Sequence, residues 1–107
     1  EIAIGPGKIA LLQAIQETGS ISAAARRMNM SYRRAWLLVD TMNRCFREPL
    51  VKAVTGGKGG GGAQVTQFGS TVLNKYQMME NTAIAAVNSH IHGFAALLAN
   101  QPPYEKK

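Results

Sequence analysis

The sequence has 107 residues, of which 46% are hydrophobic, a formal net charge of +6, a pI near 9.9 and a single cysteine. That length reads as one domain; no apolar run approaches the roughly 18 residues of a membrane span, and no secretory leader is visible. Lone Cys45 excludes an intramolecular disulfide and fits a reducing, cytoplasmic setting, while Glu1 in place of an initiating Met predicts numbering that starts inside a longer gene product.

In chain order, Gly5-Pro6-Gly7 is a flexible entry, and Lys8 to Thr18 reads as a first helix with Ile9, Leu12 and Ile15 inward. Gly19 closes it as a C-terminal cap. Ser20 is an N-cap for a second helix, in which Ile21, Ala24, Ala25 and Met28 recur on one narrow face. Two of those four are alanines, which lets another helix approach closely. Asn29, a residue tolerant of left-handed backbone, ends it.

Ser31 opens a third helix by the same capping logic. Tyr32, Ala35, Trp36, Val39, Met42 and Phe46 recur three or four residues apart with polar Asn43 among them, so Trp36 is expected in the core. The opposite face carries Arg33, Arg34, Leu37, Thr41, Arg44 and Glu48, and Asp40 is set to pair with Arg44 at i, i+4. Glu48-Pro49 is expected to end this helix, because a residue before proline is pushed towards extended backbone. Residues 20–47 therefore read as a helix-turn-helix. Arg33 and Arg34 stand in the first turn of its second helix, where the dipole disfavours cations by about 0.3–1 kcal/mol each. A docking polyanion would offset that cost, since recognition helices meet DNA with their N-terminal residues.

Leu50 to Val54 reads as a strand and Ala63 to Val65 as a shorter one, joined by Thr55-Gly56-Gly57-Lys58-Gly59-Gly60-Gly61-Gly62. A phosphate-binding P-loop is not made here, because Lys52 stands where its first glycine belongs and Gly59 where its hydroxyl belongs. A floppy linker is the plainer alternative. With strands on both sides and Lys58 at its tip, the segment 50–65 is expected to be a wing whose backbone amides and Lys58 approach phosphates. Thr66 then caps a long helix over 67–100, with Phe68, Val72, Tyr76, Met79, Ala83, Val87, Ile91, Phe94 and Leu98 on one stripe. At 1.5 Å per residue such a helix spans roughly 45 Å. Its distal half is expected to dimerise with a second copy, the alternative being a fold-back with a break near Gly93. The polar tail 101–107, with Pro102-Pro103, is expected to be disordered.

The predicted architecture is mainly α with a small β-hairpin wing: a winged helix-turn-helix over 1–66 followed by a long C-terminal helix. Its charge is local. Between positions 26 and 58 lie Arg26, Arg27, Arg33, Arg34, Arg44, Arg47, Lys52 and Lys58 against Asp40 and Glu48, a window that holds the whole net charge of +6. Clustered basic charge suits a nucleic acid or anionic lipid better than a neutral partner. Ser31, Tyr32, Arg33 and Arg34 are the candidate contacts to base edges and the nearest phosphates of double-stranded DNA. Arg26, Arg27, Arg44, Lys52 and Lys58 are the candidate contacts to the backbone. Leu37 reads as an ordinary exposed apolar residue, with a contact to a thymine methyl as the alternative.

Other chemistry is thin. His90 and His92 fall on different sides of a helix with no Cys or carboxylate beside them, so no metal site is expected. Cys45 lies between Arg44 and Arg47 and is expected to be a small packed residue rather than a reactive thiol. No set of residues reads as a catalytic site. A non-specific or architectural DNA binder and a protein-interaction module remain as alternatives to a sequence-specific regulator.

Gly-Ser-Ile-Ser at 19–22, Ser-Tyr-Arg-Arg-Ala-Trp at 31–36, Met42-Asn43 and Leu-Val-x-Ala-Val-Thr-Gly-Gly-Lys-Gly-Gly-Gly-Gly-Ala-x-x-Thr at 50–66 resemble the N-terminal domain of ModE-type molybdate-responsive transcriptional regulators. The resemblance runs from about Ile9 to Tyr76. The helix-turn-helix alone would also fit LysR-type regulators, and the glycine wing is the distinctive part. The resemblance implies a winged helix-turn-helix that dimerises on a pseudo-palindromic operator and controls molybdate-uptake or molybdoenzyme genes. It also implies molybdate sites in C-terminal Mop domains. Nothing after Asn100 is long enough to form one, so no cofactor is expected in this chain, either as a fragment or as a one-domain relative.

Overall fold

The computed structural model describes residues 4–55 and 62–99. The chain divides into two compact units, residues 1–76 and 77–107. The glycine loop 56–61 with Lys58, Asn100, and the tail 101–107 lie outside the described residues.

The first unit is built on α1 (Pro6–Thr18). Pro6 stands at the start of that helix, where its missing N–H would have had no intrahelical partner. The helix buries Ile9, Leu11, Leu12, Ala14 and Ile15, a broader face than the three-residue stripe predicted. Gly19 ends it in left-handed backbone (φ 73°), donating its N–H to the Ile15 carbonyl at 2.8 Å. A side chain would be strained at that φ, which is what the glycine supplies.

Two short caps then set the helix-turn-helix. α2 (Ile21–Arg27) starts where the Ser20 hydroxyl accepts the Ala23 N–H at 3.0 Å. α3 (Tyr32–Cys45) starts where the Ser31 hydroxyl accepts the Arg34 N–H at 3.1 Å. The turn between them passes through Asn29 at φ 60°, and the Met30 N–H closes it onto the Ala25 carbonyl at 3.0 Å. Ala24, Ala25 and Ala35 are all buried, the small residues that allow close helix approach.

α3 ends three residues before Glu48. Phe46 turns to extended backbone (φ −110°, ψ 162°), which aims its ring edge-on at Phe68, centroids 6.4 Å apart. Arg47 then lies over the Phe68 ring at 5.3 Å. α3 thus ends earlier than the Glu48-Pro49 stop expected from the sequence, and its end coincides with the packing of Phe46 on Phe68. Cys45 in the last turn is exposed, not packed as expected, because it falls away from the buried arc of Ala35, Val39 and Met42.

β1 (Val51–Val54) and β2 (Gly62–Val65) form an antiparallel hairpin with Val51 opposite Val65 and Lys52 opposite Gln64. Asn43 bolts α3 to this hairpin. Its Oδ1 accepts from Leu50 N–H at 2.8 Å and Val51 N–H at 3.2 Å, and its Nδ2 donates to the Val51 carbonyl at 3.0 Å. On the other strand, Ala63 N–H donates to the Gly19 carbonyl at 3.0 Å, tying β2 to the end of α1. Leu11, Leu12, Ile15, Met42 and Leu50 are the largest fully buried side chains of the resulting core.

α4 (Gln67–Ala95) begins at a Thr66 hydroxyl that accepts the Gly69 N–H at 2.9 Å and donates to the Pro49 carbonyl at 2.8 Å. A Cβ on Gly69 would overlap the Leu50 carbonyl oxygen and stand 2.8 Å from Val65 Cγ1, so only glycine lets this turn sit on the hairpin. Leu73 is buried in the first unit, with Phe68, Val72 and Tyr76 packed around the core. The helix runs through Gly93 without a break and ends at Ala95, short of Asn100. From Met78 to Ala99, within the second unit, every residue is exposed.

Candidate nucleic-acid interface

The N-terminal half of α3 is the most accessible part of the helix-turn-helix. At about 100° per residue, Ala35, Val39 and Met42 face the core, and Arg33, Leu37 and Arg44 centre the opposite side. Arg33 and Arg34 are exposed and form no ion pair among the described residues, and no acidic side chain stands in that first turn. The preceding Ser31 satisfies the Arg34 amide, so the turn is held while both guanidinium groups remain free.

Trp36 departs from the sequence expectation. It is 46% exposed, beside Tyr32 at 55% and Leu37 at 48%. Along the edge of α3 that carries Tyr32, Trp36 and Asn43, Asn43 is held by hydrogen bonds to Leu50 and Val51, whereas Tyr32 and Trp36 are open. Tyr32, Arg33, Trp36 and Leu37 line one shallow depression. Arg33 and Leu37 also line the adjoining one with Ser31, Arg34 and Thr41. A third joins Tyr32 to Ser20 and Ser22 at the head of α2 and to Ala53 and Ala63 of the hairpin. Trp36 is the residue that sequence reasoning missed: its i, i+4 spacing from Tyr32 marked a shared edge, but not whether that edge was covered.

The other predicted contacts are dispersed. Arg26 and Arg27 occupy the last turn of α2; Arg26 is exposed, whereas Arg27 is paired with Glu17 of α1. Arg44 lies eleven residues beyond Arg33, about 16 Å along the helix, and is held by Asp40 at 3.1 Å, the i, i+4 pair expected. Both pairs are exposed and worth at most about 1 kcal/mol, so a phosphate can compete for either arginine. Lys52 is exposed on β1 opposite Gln64. Lys58 lies outside the described residues.

Among the described residues no three of His, Cys, Asp and Glu stand close enough to hold a metal ion, and no helix is long and apolar enough to cross a membrane. A helix presenting free cations from its first turn, a preceding helix packed across it and a hairpin behind define a winged helix-turn-helix. The model of the bacterial regulatory helix-turn-helix proteins of the lysR family matches residues 7–70, and the chain belongs to that family.

Within it, the N-terminal domain is of the ModE type. It is 46% identical over 74 residues to the transcriptional regulator ModE of Yersinia pestis, covering 69% of this chain and 28% of that protein. It is 44% identical over 78 residues to the molybdenum transport protein ModE of Azotobacter vinelandii, covering 73% and 29%. Identity to the DNA-binding transcriptional dual regulator ModE of Escherichia coli K12 is 40% over 74 residues, covering 69% and 28%. The chain thus spans under a third of the length of these relatives. A crystal structure of ArgP from Mycobacterium tuberculosis superposes with a TM-score of 0.56 at 21% identity, over 81% of this chain and 32% of that one, a likeness of fold alone.

Proposed function

We propose that this chain is the sequence-specific DNA-binding part of a ModE-type transcriptional regulator, acting in the cytoplasm on genes for molybdate transport or molybdoenzymes. It is a binding domain and not an enzyme. The observation that carries the reading is the pair of free, exposed arginines in the first turn of α3, with nothing acidic in that turn to offset them. Arg33 and Arg34, with Ser31 and Tyr32, meet base edges and flanking phosphates. Arg26, Arg27, Arg44, Lys52 and Lys58 position the duplex through its backbone.

The domain organisation follows the same division: DNA reading by residues 1–66 and self-association through α4. Ile84, Val87, Ile91 and Phe94 alternate at steps of three and four, a coiled-coil seam, and all four are exposed. Glu80 is the only formal charge between Gln77 and Ala99. An uncharged exposed seam of that pattern supports pairing with a second copy, and two copies suit an operator of two half-sites.

Selection from random duplex DNA with the 107-residue chain near physiological salt, followed by sequencing, tests the reading. The expected result is an inverted repeat with half-sites about one helical turn, ~34 Å, apart. Binding without enrichment that falls steeply with salt would mean an architectural binder. Absence of binding would favour a protein-interaction module.

A further inference from the structure

Arg33 and Arg34 do not exhaust the open face of α3. Between and beside them stand Trp36 and Leu37, each close to half exposed, on a surface where a solvated helix would carry polar residues. Neither supports the core, which Ala35, Val39 and Met42 complete without them. Leu37 and Arg33 line both adjoining depressions on this face, so the apolar and cationic atoms form one continuous surface. An exposed apolar patch framed by free cations calls for a partner that is anionic around its rim and apolar at its centre.

The major groove of DNA has that character wherever a thymine presents its 5-methyl group between two phosphate backbones. We propose that Leu37 and Trp36 read thymine methyl groups in the major groove, beside the base contacted by Arg33. This deepens the reading of the chain as a sequence-specific DNA binder and rests on it. Leu37 is the principal reader because it shares a depression with Arg33 on either side. Trp36, on the flank towards Tyr32, covers a neighbouring methyl in the depression those residues share. Apolar contact with a methyl gives thymine an advantage over uracil, which has the same hydrogen-bonding edge and lacks only that group.

The test takes the duplex enriched by selection and replaces its thymines, one at a time, with deoxyuridine. Affinity is read by fluorescence anisotropy for the wild-type chain, Leu37→Ala and Trp36→Ala. One or two positions in each half-site should lose about fourfold on losing a methyl, the value of one buried methyl-sized group. Leu37→Ala should bind the thymine duplex more weakly and be indifferent to deoxyuridine at its own position, while remaining sensitive at the Trp36 position. Full sequence preference with no loss at any deoxyuridine position would overturn this proposal and leave the DNA-binding reading standing. The same sensitivity in Leu37→Ala and Trp36→Ala as in wild type would also overturn it. Failure to enrich any duplex would overturn both readings together. The substitution is made in the DNA, so a fault in folding of either variant leaves the wild-type arm decisive.

Discussion

Two stretches of this chain carry helical apolar stripes and meet opposite fates. In residues 1–76 the stripes of α1, α2 and α3 close on one another, and Leu11, Leu12, Ile15 and Met42 lose all contact with solvent. In residues 77–107 the stripe of α4 continues through Ile84, Val87, Ile91 and Phe94, and each of these is about half exposed or more. Periodicity states which face of a helix is apolar and nothing about what covers it. In the first unit the cover is supplied within the chain; in the second the stripe is exposed among the described residues, and the proposed second copy would cover it.

That contrast can be broken at either end. Leu12→Ala should produce the largest effect, a loss of about 2–5 kcal/mol from a fully buried site, read as a lowered urea midpoint. As Leu12 serves a core within one chain, a similar loss is expected at every protein concentration.

Ile91→Glu should do the reverse. It leaves the core of residues 1–76 intact by near-ultraviolet circular dichroism. By placing a charge in the seam it weakens self-association on the order of 100-fold. Sedimentation equilibrium should then give a monomer, where a dimer is expected of the wild-type chain. A wild-type chain that sediments as a monomer at high concentration would remove the seam from the account.

Asn43→Ala sharpens the comparison from within the first unit. Asn43 holds three backbone groups of Leu50 and Val51, so its removal should cost about 1–3 kcal/mol. Because those bonds anchor the hairpin to α3, hydrogen exchange at Val51 to Val54 should accelerate before that at Leu11 or Leu12.

What could be read in advance was whatever the neighbours in sequence decide. Ser20, Ser31 and Thr66 cap their helices as expected, since a cap needs only the amide three residues on. Asn29 adopts the left-handed backbone its type permits, and Asp40 finds Arg44 one turn away. Readings of distant cover held at Ile9, Leu12, Ile15, Val39 and Met42 and failed at Trp36 and Cys45. Trp36 and Asn43 sit on one edge of α3, yet only the second is held by hydrogen bonds to Leu50 and Val51, and Cys45 is exposed. The end of α3 at Cys45 goes with the contact of Phe46 on Phe68, a partner over twenty residues away. The need for glycine at position 69 was likewise invisible until the Leu50 carbonyl stood against it. For the candidate interface, residue types and the Asp40–Arg44 pair were legible, whereas the engagement of Arg27 by Glu17 and the freedom of Arg33 and Arg34 were not.

In the proposed reading, the first turn of α3 recognises sequence, with Arg33 foremost, and Arg26, Arg27, Arg44, Lys52 and Lys58 hold the duplex. The direct measurement is the ratio of affinities for the selected duplex and a scrambled one, in wild type, Arg33→Ala and Lys52→Ala at one salt concentration. A bidentate arginine–guanine contact is worth about 1–3 kcal/mol of discrimination, so Arg33→Ala should reduce that ratio about fivefold or more. Lys52→Ala should weaken both duplexes alike and leave the ratio where it was. Equal losses on selected and scrambled DNA from Arg33→Ala would contradict the claim.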